Sequence, residues 1–165
     1  LNDGWRICNG ALAHERAMLW VMWSQSLDNM LDDAIAELNG TSHADDDVVL
    51  DRLGRSIMDS HAIRLLGHRQ LAKQQRGLVP AEQSILKLMG SEAQQDLAAV
   101  VLETLGAAAL DQTVDSTLRF PYENDRGAVP WSDRYLFTFA GTISGGTSEI
   151  QRNIVAERVL GLPRG

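Results

Sequence analysis

The stretch Gly141-Thr-Ile-Ser-Gly-Gly-Thr-Ser-Glu-Ile-Gln-Arg-Asn-Ile-Val-Ala-Glu-Arg-Val-Leu-Gly-Leu-Pro-Arg164 decides how the rest of the chain is read. Gly145-Gly146 interrupts any regular element, because residues without a Cβ let the backbone turn freely. Ser148, with Gln151 three positions later, fits a capping box that opens a helix. Ile150, Ile154, Val155 and Val159 then recur at helical spacing, and Gly161 and Pro163 end the run. A glycine pair feeding a helix N-terminus leaves backbone N–H groups bare, which suits an anionic or polar ligand. The same spacing equally describes an ordinary capped C-terminal helix, so local physics leaves both readings open.

Outward from that stretch the pattern is helical throughout. Trp131 to about Ser144 predicts a fourth helix ahead of this fifth one. Residues 107–130 hold Pro121, Gly127 and Pro130 and are expected as a loop with room for a short helix. From the N-terminal side, about Trp5 to Leu38 contains no proline and is rich in helix formers, which predicts one long helix. Asn39-Gly-Thr-Ser-His43 reads as a loop. A second long helix is predicted from about Asp46 to Gln75, with Leu50, Leu53, Ile57, Ile63, Leu65 and Leu66 toward the core. Pro80 is placed to begin a third helix, which reaches about Leu105 and closes at Gly106. Ile85, Leu86, Leu88, Met89, Leu97, Val100, Val101 and Leu105 are its apolar content. β-branched alternation is almost absent and no internal repeat is visible, so the fold class is all-α. An antiparallel four-helix bundle with a C-terminal fifth helix is the expected architecture.

Composition bounds the function. The 165 residues are one domain's worth, enough to bury a core. The formal net charge of −7 and the pI near 5.0 provide no basic footprint for nucleic acid. A single cysteine, Cys8, allows no internal disulfide and fits a reducing compartment. The opening residues lack the basic start and apolar block of a signal peptide, and the longest apolar run, Ala17 to Trp23, is too short to cross a bilayer. A soluble cytoplasmic domain, starting without an initiator Met as a processed piece or fragment would, is the plain expectation.

Two features of the first helix carry chemistry. At about 100° per residue, Met18, Ala11, Met22, Glu15, Cys8, Leu19 and Leu12 fall within about 120° of one another, with Glu15 in the middle. A carboxylate there is paired with a cation, faces water, or is desolvated toward the pKa range of a general base. Trp20 and Trp23, one turn apart, are anchors for a core or a subunit interface. Among the acidic groups, Asp45-Asp46-Asp47 reads as a helix start rather than a metal site, and Asp28, Asp32 and Asp33 read as a solvated helix face rather than a diphosphate–metal cluster. The four histidines, His14, His43, His61 and His68, lack Glu-x-x-His or zinc spacing, so no metal is expected.

The wording of the C-terminal stretch is more specific than its physics. Gly-Gly-Thr-Ser-Glu-Ile-Gln-Arg-Asn-Ile-Val-Ala-Glu-Arg-Val-Leu-Gly-Leu-Pro163 closely resembles the signature near the C-terminus of acyl-CoA dehydrogenases, flavoenzymes that oxidise an acyl-CoA thioester to its 2,3-enoyl form. Gly4-Trp-Arg-Ile-Cys-Asn-Gly-Ala-Leu-Ala-His-Glu-Arg16 resembles the start of the same family's C-terminal domain. The resemblance implies FAD as cofactor, an acyl-CoA substrate, and Gly146, Thr147 and Glu149 at the adenosine half of FAD. In most members the catalytic glutamate precedes the Gly-Thr of the signature, and here that position is Gly145. A minority carry it just before the arginine of the first helix. That position is Glu15, with Arg16 the arginine. The resemblance therefore makes Glu15 the base and Arg16 the group that ties it to the Gly145–Thr147 loop.

The pattern also departs from the family. The loop Gly40 to Asp47 holds neither the arginine nor the phenylalanine of the usual flavin-reaching Arg-x-x-Phe-Gly segment, and Leu105-Gly-Ala-Ala-Ala-Leu110 keeps one glycine of the usual Gly-Gly-x-Gly stretch. The resemblance covers residues 1–165 as a C-terminal helical domain. The family's N-terminal helical and middle β domains are not in it, so no turnover is expected of this piece alone. A homo- or hetero-oligomer, as a dimer of dimers, is implied, and in a heteromeric enzyme a partner subunit would supply the missing flavin contacts. The alternative is a non-catalytic assembly module that holds a flavin-bearing partner.

Overall fold

In a computed structural model, the structure describes residues 3–78, 83–110 and 129–163, with the backbone alone for residues 5, 6 and 9–19. The described chain is helical, with no strand among the described residues. Helix α1 spans Gly4–Leu38, α2 Asp47–Gln75, α3 Gln83–Leu105, α4 Trp131–Ile143 and α5 Ser148–Ile154. A 3-10 turn, Gly106–Leu110, follows α3, and a π turn, Val155–Val159, continues α5. The expected placements of Pro80 and of the loop segment 111–128 lie outside the described residues.

The caps explain the boundaries of α2. The Asp46 carboxylate accepts hydrogen bonds from Val48 N (2.9 Å) and Val49 N (3.3 Å), two of the amides a helix start leaves without partners. The acidic run at 45–47 is thus a helix start. No group of three or more His, Cys, Asp or Glu that could hold a metal comes together among the described residues.

α3 is the central element. It packs against α1, α2, α4 and α5, and its Leu86, Leu97, Ala98 and Val101 are buried together with Leu27 of α1 and Ile63 of α2. Each fully buried leucine, isoleucine or valine of this kind contributes about 1.5–3 kcal/mol relative to leaving it in water. Short connections between α1, α2 and α3 make them antiparallel neighbours, as expected for the bundle.

The buried stripe of α1 runs through Trp20, Trp23, Leu27, Leu31, Ala34 and Leu38, at spacings of three or four residues. Both tryptophans are therefore core anchors, and the helices opposite make room for them with glycine. A Cβ at Gly67 of α2 would come within 2.1 Å of the Trp20 ring, and one at Gly90 of α3 within 2.6 Å of Trp23.

α2 corrects part of the expected core. Val49, Leu53, Ser56, Ser60, Ile63, Gly67 and Gln70 form its buried face, whereas Leu50, Ile57 and Leu65 are exposed. The cause is angular: the small Ser56, Ser60 and Gly67 lie on the face that meets α1 and α3, and close helix approach selects small side chains there over large ones elsewhere. The acidic face of α1 is corrected too. Asp28 accepts from Ser60 and from Arg64, and Asp33 pairs with Arg134 of α4 at 2.7 Å. Two of the three carboxylates are thus structural ties to other helices rather than a solvated face, and neither tie is a metal site.

Candidate functional site

The corner between α4 and α5 is set by two residues in the left-handed region, Gly145 (φ 65°) and Gly146 (φ 100°). Only glycine takes these angles without strain. The helix that follows is not opened by Ser148. Thr147 is the N-cap, its hydroxyl accepting from Ile150 N at 3.4 Å, and Ser148 is already the first helical residue, with its side chain buried.

Gln151 does not complete a capping box either. A capping-box glutamine would bond the cap's backbone N–H. Here the side chain passes the cap, and its Nε2 donates to the carbonyls of Gly145 (2.9 Å) and Gly146 (3.3 Å). It is fully buried, at 0% exposure. The buried face of α5 is accordingly polar, Ser148 and Gln151, while the apolar Ile150 faces outward.

Glu149 is exposed beside the cap. Its carboxyl is held below the usual carboxylate range, first by its own backbone N–H and next by the Thr147 hydroxyl, with Arg152 and Lys87 adding smaller attraction. It is therefore an anion at neutral pH, able to accept hydrogen bonds from hydroxyl groups. Lys87, buried on α3, places positive charge under this corner, and Arg152 of α5 pairs with Glu92 of α3 at 2.6 Å. These contacts fix α5 on α3.

Gly146, Thr147 and Glu149, grouped by the sequence reading, are thus together at one corner. Glu15 and Arg16 lie in the backbone of α1, and their side chains lie outside the described residues. Of the arc drawn around Glu15, Cys8 is exposed and Met22 half-buried. The stripe that α1 buries lies roughly 100° to one side of Cys8 on the helical wheel. Sequence reasoning also missed the inward roles of Gln151, Lys87 and Arg134. For Gln151 and Arg134 the available signal was a polar residue four positions after the helix caps Thr147 and Pro130.

A helical bundle with a glycine-hinged corner before a short capped helix defines a class, and comparison with known proteins identifies it. Residues 2–160 match the family of the acyl-CoA dehydrogenase C-terminal domain. The chain belongs to that family. It is 32% identical over 168 residues to acyl-CoA dehydrogenase IpdE1 of Mycobacterium tuberculosis, covering 98% of this chain and 39% of that protein. The chain thus spans about two-fifths of the length of this relative. Among solved structures it resembles the Tcur3481-Tcur3483 steroid ACAD in its G363A variant, with a TM-score of 0.76 at 24% identity over 100% of this chain and 42% of that one. It also resembles the FAD complex of PigA, with a TM-score of 0.77 at 21% identity over 97% and 39%. At these identities the structural matches establish the fold.

Proposed function

We propose that this chain is the C-terminal domain of an FAD-dependent acyl-CoA dehydrogenase, and that Glu15 takes the α-proton of the acyl-CoA thioester. The observation that carries the assignment of the base is Gly145. At the position where most members of the family carry their glutamate, this chain has a residue with no proton acceptor, in a left-handed conformation that an L side chain resists. The carboxylate that the family's minority pattern needs, followed by its arginine, is supplied at Glu15-Arg16.

The family is flavin-dependent, and the corner suits the adenosine half of the cofactor. Glu149 offers a carboxylate to ribose hydroxyls, and Gly145, with open space where a Cβ would stand, leaves backbone clear for close approach. Gly146, Thr147 and Glu149 would hold the cofactor. When bound, FAD supplies the hydride acceptor for the β-hydrogen. Glu15 removes the α-proton onto its carboxylate, leaving the electron pair to form the 2,3 double bond. Arg16 orients Glu15 and ties α1 to the Gly145–Thr147 loop. A base that must act near neutral pH gains from a site that excludes water, which raises a carboxyl's pKa toward the working range.

The same reading includes an oligomer, and exposed apolar surface supports it. Leu136, Phe139 and Ile143 of α4 and Ile150 of α5 are large apolar side chains left exposed on the described surface, and such faces suit burial against further protein. The steroid ACAD that shares the fold is named for a pair, Tcur3481 and Tcur3483. A partner chain can supply the flavin contacts that the Gly40–Asp47 loop lacks, and no helix of the described residues is long and apolar enough to cross a membrane. We place the enzyme in the cytoplasm as a soluble homo- or hetero-oligomer.

That same loop favours a second reading: an assembly module that supports a flavin-bearing partner without contributing chemistry. The two separate experimentally. An acyl-CoA thioester added to the intact, flavin-loaded protein bleaches the flavin absorbance and yields the 2,3-enoyl thioester if the first reading holds. Equal bleaching by the partner chain with a Glu15→Gln copy of this one establishes the second.

A further inference from the structure

Gln151 is used by no step above, yet it is the most completely buried polar side chain touching the corner. Its amide has one orientation available. Turned the other way, Oε1 would face the Gly145 and Gly146 carbonyl oxygens, acceptor against acceptor. In the orientation observed, Nε2 donates to both carbonyls, while Oε1 is buried without a hydrogen-bond partner among the described residues. A buried acceptor left unpaired is costly, so the arrangement is held by what Nε2 does.

What Nε2 does follows from peptide geometry. In a trans peptide the N–H points opposite to the C=O. Drawing the carbonyls of 145 and 146 inward therefore turns the N–H groups of Gly146 and Thr147 outward, and neither of them donates within the described residues. These two N–H groups stand beside the exposed Glu149 carboxylate. Two donors and an adjacent acceptor form a surface for a ligand carrying both acceptor atoms and sugar hydroxyls. The fit between amide and corner is tight: a Cβ on Gly146 would lie 2.7 Å from Gln151 Nε2.

We propose that Gln151 is the positioning residue of the cofactor corner. From inside the protein it holds the Gly145–Gly146 carbonyls, and so presents the N–H groups of Gly146 and Thr147 to the adenosine half of FAD. The inference rests on the reading that this corner receives FAD, and the test separates the two.

The intact apoprotein, with whatever partner chain it requires, is titrated with FAD and followed by flavin fluorescence, while thermal stability is measured in parallel. Gln151→Leu removes the donor and weakens FAD binding by roughly tenfold, the loss of about one to two net hydrogen bonds' worth of order. Gln151→Glu is the diagnostic variant. Protonated, it can still donate to the Gly145 carbonyl; ionised, it repels both oxygens. Its FAD affinity is near wild type at acidic pH and falls as pH rises, a dependence much steeper than the unsubstituted protein shows. This variant keeps the test open if Gln151→Leu fails to fold. Wild-type affinity with a wild-type pH profile in Gln151→Glu overturns the proposal, provided that Glu149→Gln and Gly146→Ala weaken FAD. If those two also leave FAD affinity unchanged, the corner is not a flavin contact, and the inference falls with that reading.

Discussion

At the scale of single residues, the corner is a case in which absent side chains matter as much as present ones. The sequence shows Gly145 where most of the family carries a carboxylate, and Glu15-Arg16 is the replacement proposed for it, because both sit in specific wording. Gln151 was legible only as a helix residue. Its spacing from Ser148 fits a capping box, but the cap is Thr147, and the amide reaches past it to carbonyls that the sequence does not link to it. Thr147→Ala removes the hydroxyl that accepts from Ile150 N, and is expected to cost about 1 kcal/mol of stability, measured by denaturant unfolding. Glu149 titrates in the opposite sense from a buried acid. Because folding lowers its pKa, the stabilisation it gives is present above the ordinary carboxylate range and is lost as pH falls through the lowered value. Glu149→Gln therefore flattens the acid side of the stability profile, most clearly at low salt.

At the scale of elements, helix existence and most boundaries followed from composition, proline placement and Asp46, whereas the faces did not. The stripe of α2 was misplaced because large aliphatic residues drew the reading, while packing selected Ser56, Ser60 and Gly67 to admit a neighbouring helix. The tryptophan pockets show the rule. Gly67→Ala and Gly90→Ala gain helix propensity but drive a Cβ into Trp20 or Trp23, and each is expected to destabilise by about 1–3 kcal/mol in thermal or denaturant unfolding. The Asp33–Arg134 tie between α1 and α4 was invisible in sequence, since the partners are a hundred residues apart. Arg134 is buried and also stacks over Trp131 at 4.6 Å. Arg134→Met leaves Asp33 without its cation, and a loss of roughly 2–4 kcal/mol is expected by the same measurement.

At the scale of the whole molecule, the acidic balance has a local centre between α2 and α3. Burial raises the pKa of Asp59. Asp96 is raised by burial first and then by Glu92 and Asp59, with Arg52 opposing. A raised folded pKa means that folding favours the protonated form. The benefit is complete below the unfolded value, near pH 4 for such groups, and disappears as pH rises through the folded value. Asp96→Asn is accordingly expected to raise the melting temperature at neutral pH, with the gain shrinking in acid. The family and the helical fold of the described residues were legible because the signature at the end of the chain and the helical pattern before it agree. The proposed assembly was not, since the exposed apolar side chains of α4 and α5 name no partner.

The central claim, that the proton acceptor is Glu15 rather than a residue at the Gly145 corner, is tested most directly by stopped-flow flavin reduction. Glu15→Gln is compared with the unsubstituted chain in the intact, flavin-loaded protein at saturating acyl-CoA. A fall in the reduction rate of about a hundred- to ten-thousandfold, with flavin content unchanged, is predicted. Reduction at the unsubstituted rate would contradict it.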